Sequence, residues 1–152
     1  MIGELFTLAK MLFGKTSLRQ PSILVMKHFP FSGFSAMMWC GYIVTRKKEY
    51  ELSDKTVRHE YIHVKQAYRY SRWYSYYLRY LREWMRGNPL THPASGAYMT
   101  IPFEMEAYAN EHLLTYEPTA DTLKRYTIKN RKKTYRSLKG NRKGWIEYLQ
   151  TL

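Results

Sequence analysis

The chain has 152 residues, with 25 Lys plus Arg against 12 Asp plus Glu, a formal charge of +13 with His neutral, and this length suits one domain or one domain with a tail. Apolar residues at 45% and aromatics at 16% suffice for a packed core and exclude disorder of the whole chain. A single cysteine, Cys40, excludes a disulfide framework and any all-cysteine or Cys2His2 zinc site, so a metal would have to be held by His and carboxylates.

The N-terminal stretch MIGELFTLAKMLFGK has Glu4 where a signal peptide would be basic, and Lys10 interrupts its apolar run. It reads as a retained amphipathic helix with Leu5, Leu8, Met11 and Leu12 on one face, docked on the body of the protein, with a membrane surface as the alternative. Nowhere is there an uninterrupted apolar run of about 18 residues, which argues against a spanning helix. The richest run, Phe29 to Val44, is broken by Pro30, Ser32, Gly33, Ser35 and Gly41.

Ala36 to Arg46, rich in aromatic and β-branched residues, predicts a strand, paired as a hairpin with part of Ile23 to His28. Arg46 to Glu49 is the turn that follows. Ser53 as N-cap with Asp54 in the first turn predicts a helix from about Asp54 to Tyr70. A second helix is expected from Arg72 to Arg86, with Trp73, Tyr77, Leu81 and Trp84 along its packed stripe, stopped by Gly87-Asn88-Pro89. Leu90 to Ile101 reads as a loop. Pro102 opens a third helix running to Glu117, closed by Pro118.

The positive charge is concentrated near the C-terminus. From Lys124 to Lys143 there are ten Lys or Arg and no acid, leaving fifteen cations against twelve acids elsewhere. The expected organisation is therefore residues 1–123 as one domain carrying the N-terminal helix, and 124–152 as a basic arm ending in a short docking helix. A solvated basic surface is the plainest reading of the arm, with nucleic acid or anionic membrane as partners it would also suit. A lone cysteine and no export signal point to the cytoplasm.

The first predicted helix contains His59-Glu60-Tyr61-Ile62-His63, an HExxH pattern. Residues four apart on an α-helix share a face one turn apart, so both imidazoles reach one metal, and Glu60 stands beside it as general base. Zinc in a catalytic site needs a third protein ligand. Gln66 and Arg69 occupy the positions where a metzincin would have Gly and His, so the third ligand comes from elsewhere. Glu104 and Glu106, 41 and 43 residues beyond His63, are the sources, and spacing does not separate them.

HEYIHVKQ followed by PFEMEAYANE resembles the gluzincin-type zincin metallopeptidases, and more narrowly a group of small bacterial proteins with minimal zincin-like domains; the resemblance spans about Ser53 to Glu117. It implies an α+β fold, predominantly helical, with a small β-hairpin or sheet before the HExxH helix. It implies one Zn2+ per chain held by His59, His63 and Glu104, with Glu106 as the alternative ligand. It also implies a peptide or protein substrate, cleaved with Glu60 as base and bound along Tyr42, Ile43, Val44 and Thr45 as an edge strand. Tyr108 or His112 would support the oxyanion. Gln66 either hydrogen-bonds a ligand or, the favoured expectation, faces solvent. The tyrosines from Tyr68 to Tyr80 read as packing residues, His28, His92 and His112 as structural, and Cys40 as a buried strand residue. A cleft in so short a chain would be shallow, so a second subunit could supply a wall.

Overall fold

In the computed structural model, which describes residues 2–30, 32–46, 52–90, 94–119 and 121–152, the apolar run 36–46 folds back on itself. Cys40 and Gly41 both take left-handed φ values, 48° and 87°, the requirement of a two-residue hairpin turn that matches strand twist. A Cβ on Gly41 would meet the Trp73 ring at 3.2 Å, so both backbone and space demand glycine there. The turn joins β2 (Ala36–Trp39) to β3 (Tyr42–Arg46) in antiparallel register, and β1 (Ser22–Met26) lies parallel on the other side of β3. The hairpin therefore lies within the run predicted as one strand, and the Ile23 to His28 segment contributes a parallel neighbour. Of the turn expected at Arg46 to Glu49, residues 47–49 lie outside those described.

Contacts divide the chain into residues 1–76 and 77–152. In the first unit, α1 (Ile2–Met11) buries Leu8 against Phe29 and Val44, and the Trp39 indole donates to the Leu8 carbonyl at 3.0 Å. Leu5, expected on the packed face, is half exposed because Leu8 and Met11 alone cover the sheet here. α2 (Asp54–Ala67) starts as expected, with the Ser53 hydroxyl accepting the Thr56 N–H at 3.2 Å, and packs against β2. α3 (Trp73–Arg86) runs from the first unit into the second.

In the second unit, α4 (Ala94–Met99) occupies much of the stretch expected to be a loop. Thr100 caps its end by donating to the carbonyls of Gly96 and Ala97, and a Cβ on Gly87 would meet the Trp84 carbonyl at 2.8 Å and Ala97 at 3.1 Å, so a larger residue there would force a shift. His92 lies outside the described residues. α5 (Pro102–Asn110) is buried along its whole length to Ala109 but ends seven residues earlier than predicted. There Asn110 turns its amide onto the Glu106 carbonyl at 2.8 Å, and the apolar residues beyond it, Leu113 and Leu114, are exposed. α6 (Thr122–Arg125), α7 (Ile128–Ser137) and α8 (Arg142–Gln150) follow. Trp145 and Leu149 of α8 enter a core with Met99, Met105, Tyr108, Ala109 and Tyr126. Among the described residues no helix is long and apolar enough to cross a membrane.

α3 packs on a different face from the one predicted. Trp73, Tyr76 and Glu83 are buried, whereas Leu81 is exposed and Tyr77 and Trp84 are half-buried. Glu83 draws the helix round: its carboxylate meets Arg79 at 3.1 Å and Arg86 at 3.2 Å, a pairing that makes its burial tolerable.

The second unit's core depends on Trp145, fully buried, whose indole donates to the Met99 carbonyl at 2.9 Å and meets Tyr135 edge-on. Trp145→Ala is expected to lower the unfolding free energy by about 3–5 kcal/mol in denaturant titration.

Candidate metal centre

The two motif histidines stand one turn apart on α2 and are both buried. Their Nε2 atoms are 3.2 Å apart and the rings are nearly perpendicular, at 79°. Gln66, expected to face solvent, is instead buried, and its Oε1 lies 2.8 Å from His63 Nδ1. An amide oxygen only accepts, so Nδ1 carries the proton and the Nε2 lone pair is turned toward His59. Helical periodicity turns Gln66 inward: it lies three residues after His63, on the same face. The Tyr76 hydroxyl, 3.4 Å from the same Nδ1, adds a second polar neighbour.

Glu60, also buried, accepts the Met38 backbone N–H at 2.6 Å. Met38 is on β2, whose only partner strand among the described residues is β3. This corrects the expected substrate edge: Tyr42, Ile43, Val44 and Thr45 form β3, the middle strand, whose two sides are taken by β1 and β2. Ile43, Val44 and Thr45 are fully buried, as a strand covered on both faces must be.

On α5, Glu104 and Glu106 are both buried but point to different partners, since residues two apart on a helix do not share a face. Glu104 accepts the Tyr80 hydroxyl at 2.6 Å and a further hydrogen bond from Tyr98. Glu106 accepts the Tyr116 hydroxyl at 2.8 Å. Burial first, and then the Glu104 carboxylate, raise the Tyr98 and Tyr108 phenols well above their usual range, with Arg142 partly opposing this at Tyr108. Burial and Glu106 do the same for Tyr116. These phenols are therefore neutral donors at physiological pH. Arg142 donates to the Tyr108 hydroxyl at 3.1 Å. His112 is exposed beyond the end of α5, 3.4 Å from the Gln150 amide, and His28 pairs with Glu4 at 2.9 Å. Cys40 is buried at the β2–β3 turn.

His59, His63 and Glu104, all buried, each offer one ligand atom, and these atoms lie within 4.8 Å of one another, so this His–His–Glu group could hold a metal ion. The donor chemistry fits such an ion. Two imidazole nitrogens bound at about 2.0–2.1 Å in a tetrahedral site stand roughly 3.2–3.4 Å apart, which is the separation seen here. Among the described residues no other group of three His, Cys, Asp or Glu meets the same condition. Sequence reasoning missed Tyr76, Tyr80, Tyr98 and Tyr116, because a tyrosine spaced for packing carries no mark of the carboxylate or imidazole it will meet.

Gln66→Leu is expected to leave the buried His63 N–H without its main acceptor and to cost about 1–3 kcal/mol in unfolding free energy. Long-range nitrogen–proton spectra of the wild type at neutral pH should give His63 as the Nδ1–H tautomer. No protein-family model, no curated protein and no solved structure matches this chain.

Proposed function

We propose that the chain is a zinc-dependent peptidase with a minimal zincin-like, gluzincin-type site, in which His59, His63 and Glu104 would hold the ion and Glu60 serves as general base. The observation that carries this reading is the buried His–His–Glu group with the HExxH glutamate beside it on the same helix. A zinc ion bound there would supply a Lewis acid and lower the pKa of a water molecule toward neutrality.

The remaining work falls to the chain's own side chains. Glu60 takes a proton from the attacking water and returns it to the departing amine. The Met38 N–H steadies that carboxylate, which couples the base to β2. β2 is an edge strand and is the place where an extended peptide would add to the sheet. Gln66 fixes the His63 tautomer, and Tyr80 and Tyr98 orient Glu104, the kind of outer support that sharpens metal affinity. Tyr108, buried and kept protonated, is the candidate donor to a developing oxyanion.

A second reading, a catalytically inactive zincin-like module that binds nucleic acid or anionic membrane through the arm, is favoured by α7, where Arg131, Lys132, Lys133 and Arg136 occur without an acid. Its binding would weaken steeply with salt.

Purified protein is expected to carry about one zinc per chain by elemental analysis, and His59→Ala to lose it. Glu60→Gln should keep the metal while cleavage of an unfolded protein or quenched peptide library falls by about 10²–10⁴-fold. Wild-type protein that holds zinc yet cleaves no peptide would move the assignment to the binding module, and protein that takes up no zinc would remove the peptidase reading.

A further inference from the structure

α3 carries a second apolar face, on the side opposite its packed residues. At 100° per residue, Tyr74, Leu78, Leu81 and Met85 fall within an arc of about 60°, and they are 42%, 62%, 49% and 50% exposed. Four large apolar side chains on successive turns form the kind of patch that soluble proteins keep for an interaction. Arg82 and Arg86, both exposed, flank the stripe on one shoulder. The helix presents no acid outward, since its one acid, Glu83, is buried between Arg79 and Arg86. α1 repeats the combination: Ile2, Leu5 and Phe6 are exposed, and Lys10 lies over the Phe6 ring at 4.3 Å. Just beyond α1, the Phe13 ring sits 6.1 Å from Tyr74, the first residue of the stripe.

We propose that this stripe on α3 seats the chain on an anionic lipid surface, with Leu78, Leu81 and Met85 entering the acyl boundary and Arg82 meeting the lipid phosphates. The choice of occupant follows from charge and chemistry. A second copy of the chain would bring +13 against +13, a repulsion that opposes a homodimer across a cation-flanked face. A nucleic acid offers phosphates but no hydrocarbon in which four apolar side chains could be buried. A bilayer with anionic headgroups offers both, and the combination of apolar stripe and cationic shoulder is how a helix lies in a membrane interface. The inference does not depend on what the His–His–Glu group holds.

The test is co-sedimentation of the full chain with vesicles of phosphatidylcholine containing about one third phosphatidylglycerol. At millimolar lipid most of the protein should pellet, with binding about tenfold or more weaker on pure phosphatidylcholine. The Leu78→Ser/Leu81→Ser double variant, at positions outside the core, should lose about tenfold or more of the partition coefficient while keeping the wild-type melting temperature. As a second measurement, Met85→Cys labelled with an environment-sensitive fluorophore should shift to the blue on the same vesicles. The proposal fails if wild type stays in the supernatant, if the double variant binds as well as wild type, or if the fluorophore does not shift. It fails equally if the lipid-free chain is a dimer that the double variant converts to monomer, which would give the stripe to a second copy.

Discussion

A carboxylate taken out of water must be met by hydrogen-bond donors or cations, or it destabilises the fold by several kcal/mol. This chain buries Glu60, Glu83, Glu104, Glu106 and Glu111, half of the ten acids in its described residues. The solutions differ in kind. Glu60 takes a backbone N–H from β2, Glu83 two guanidinium groups, Glu104 the phenols of Tyr80 and Tyr98, and Glu106 that of Tyr116. A phenol combines an apolar body that packs with a tip that donates while staying neutral. Three of the fifteen tyrosines in the chain, Tyr80, Tyr98 and Tyr116, thus serve a need beyond packing.

The same distinction separates structural carboxylates from one suited to a cation. Two guanidinium groups neutralise Glu83, and its charge is spent within the fold. Phenols stabilise Glu104 by hydrogen bonding without cancelling its charge, so the carboxylate keeps its negative charge. Glu106 has a phenol as well, but it lies two residues along the helix and so meets Tyr116.

What could be read in the sequence was local. The i, i+4 spacing of His59 and His63, the Ser53 cap and Pro102 at the start of α5 are each fixed by geometry within one turn, and each is found in the fold. The α+β character followed from the order of strand and helix signals. Pairing was not local. Ile43-Val44-Thr45 lacks the polar alternation of a half-exposed strand, and that uniformity is the signature of a central one. The zincin resemblance points the other way, since it makes the strand before the motif helix an edge. α4 was hidden by Gly96 and flanking breakers, and its formation rests on tertiary contacts such as Ala97 against Gly87.

α3 illustrates how the site's chemistry reaches the surface. A hydropathy wheel turns Leu81 inward, since leucine outranks tyrosine in the free energy of leaving water. The fold does the reverse: Tyr76 and Tyr80 face inward to reach His63 Nδ1 and Glu104 Oε1, and Glu83 faces inward to its arginines. A helix has one inward face of limited width, so allotting it to phenols and a paired carboxylate leaves Leu78, Leu81 and Met85 outside. Buried carboxylate and imidazole groups that require donors therefore push hydrocarbon out to where water would meet it. An amphiphilic outer face is then the physical counterpart of a polar interior, and a chain built this way gains from a neighbouring surface that accepts hydrocarbon and positive charge together.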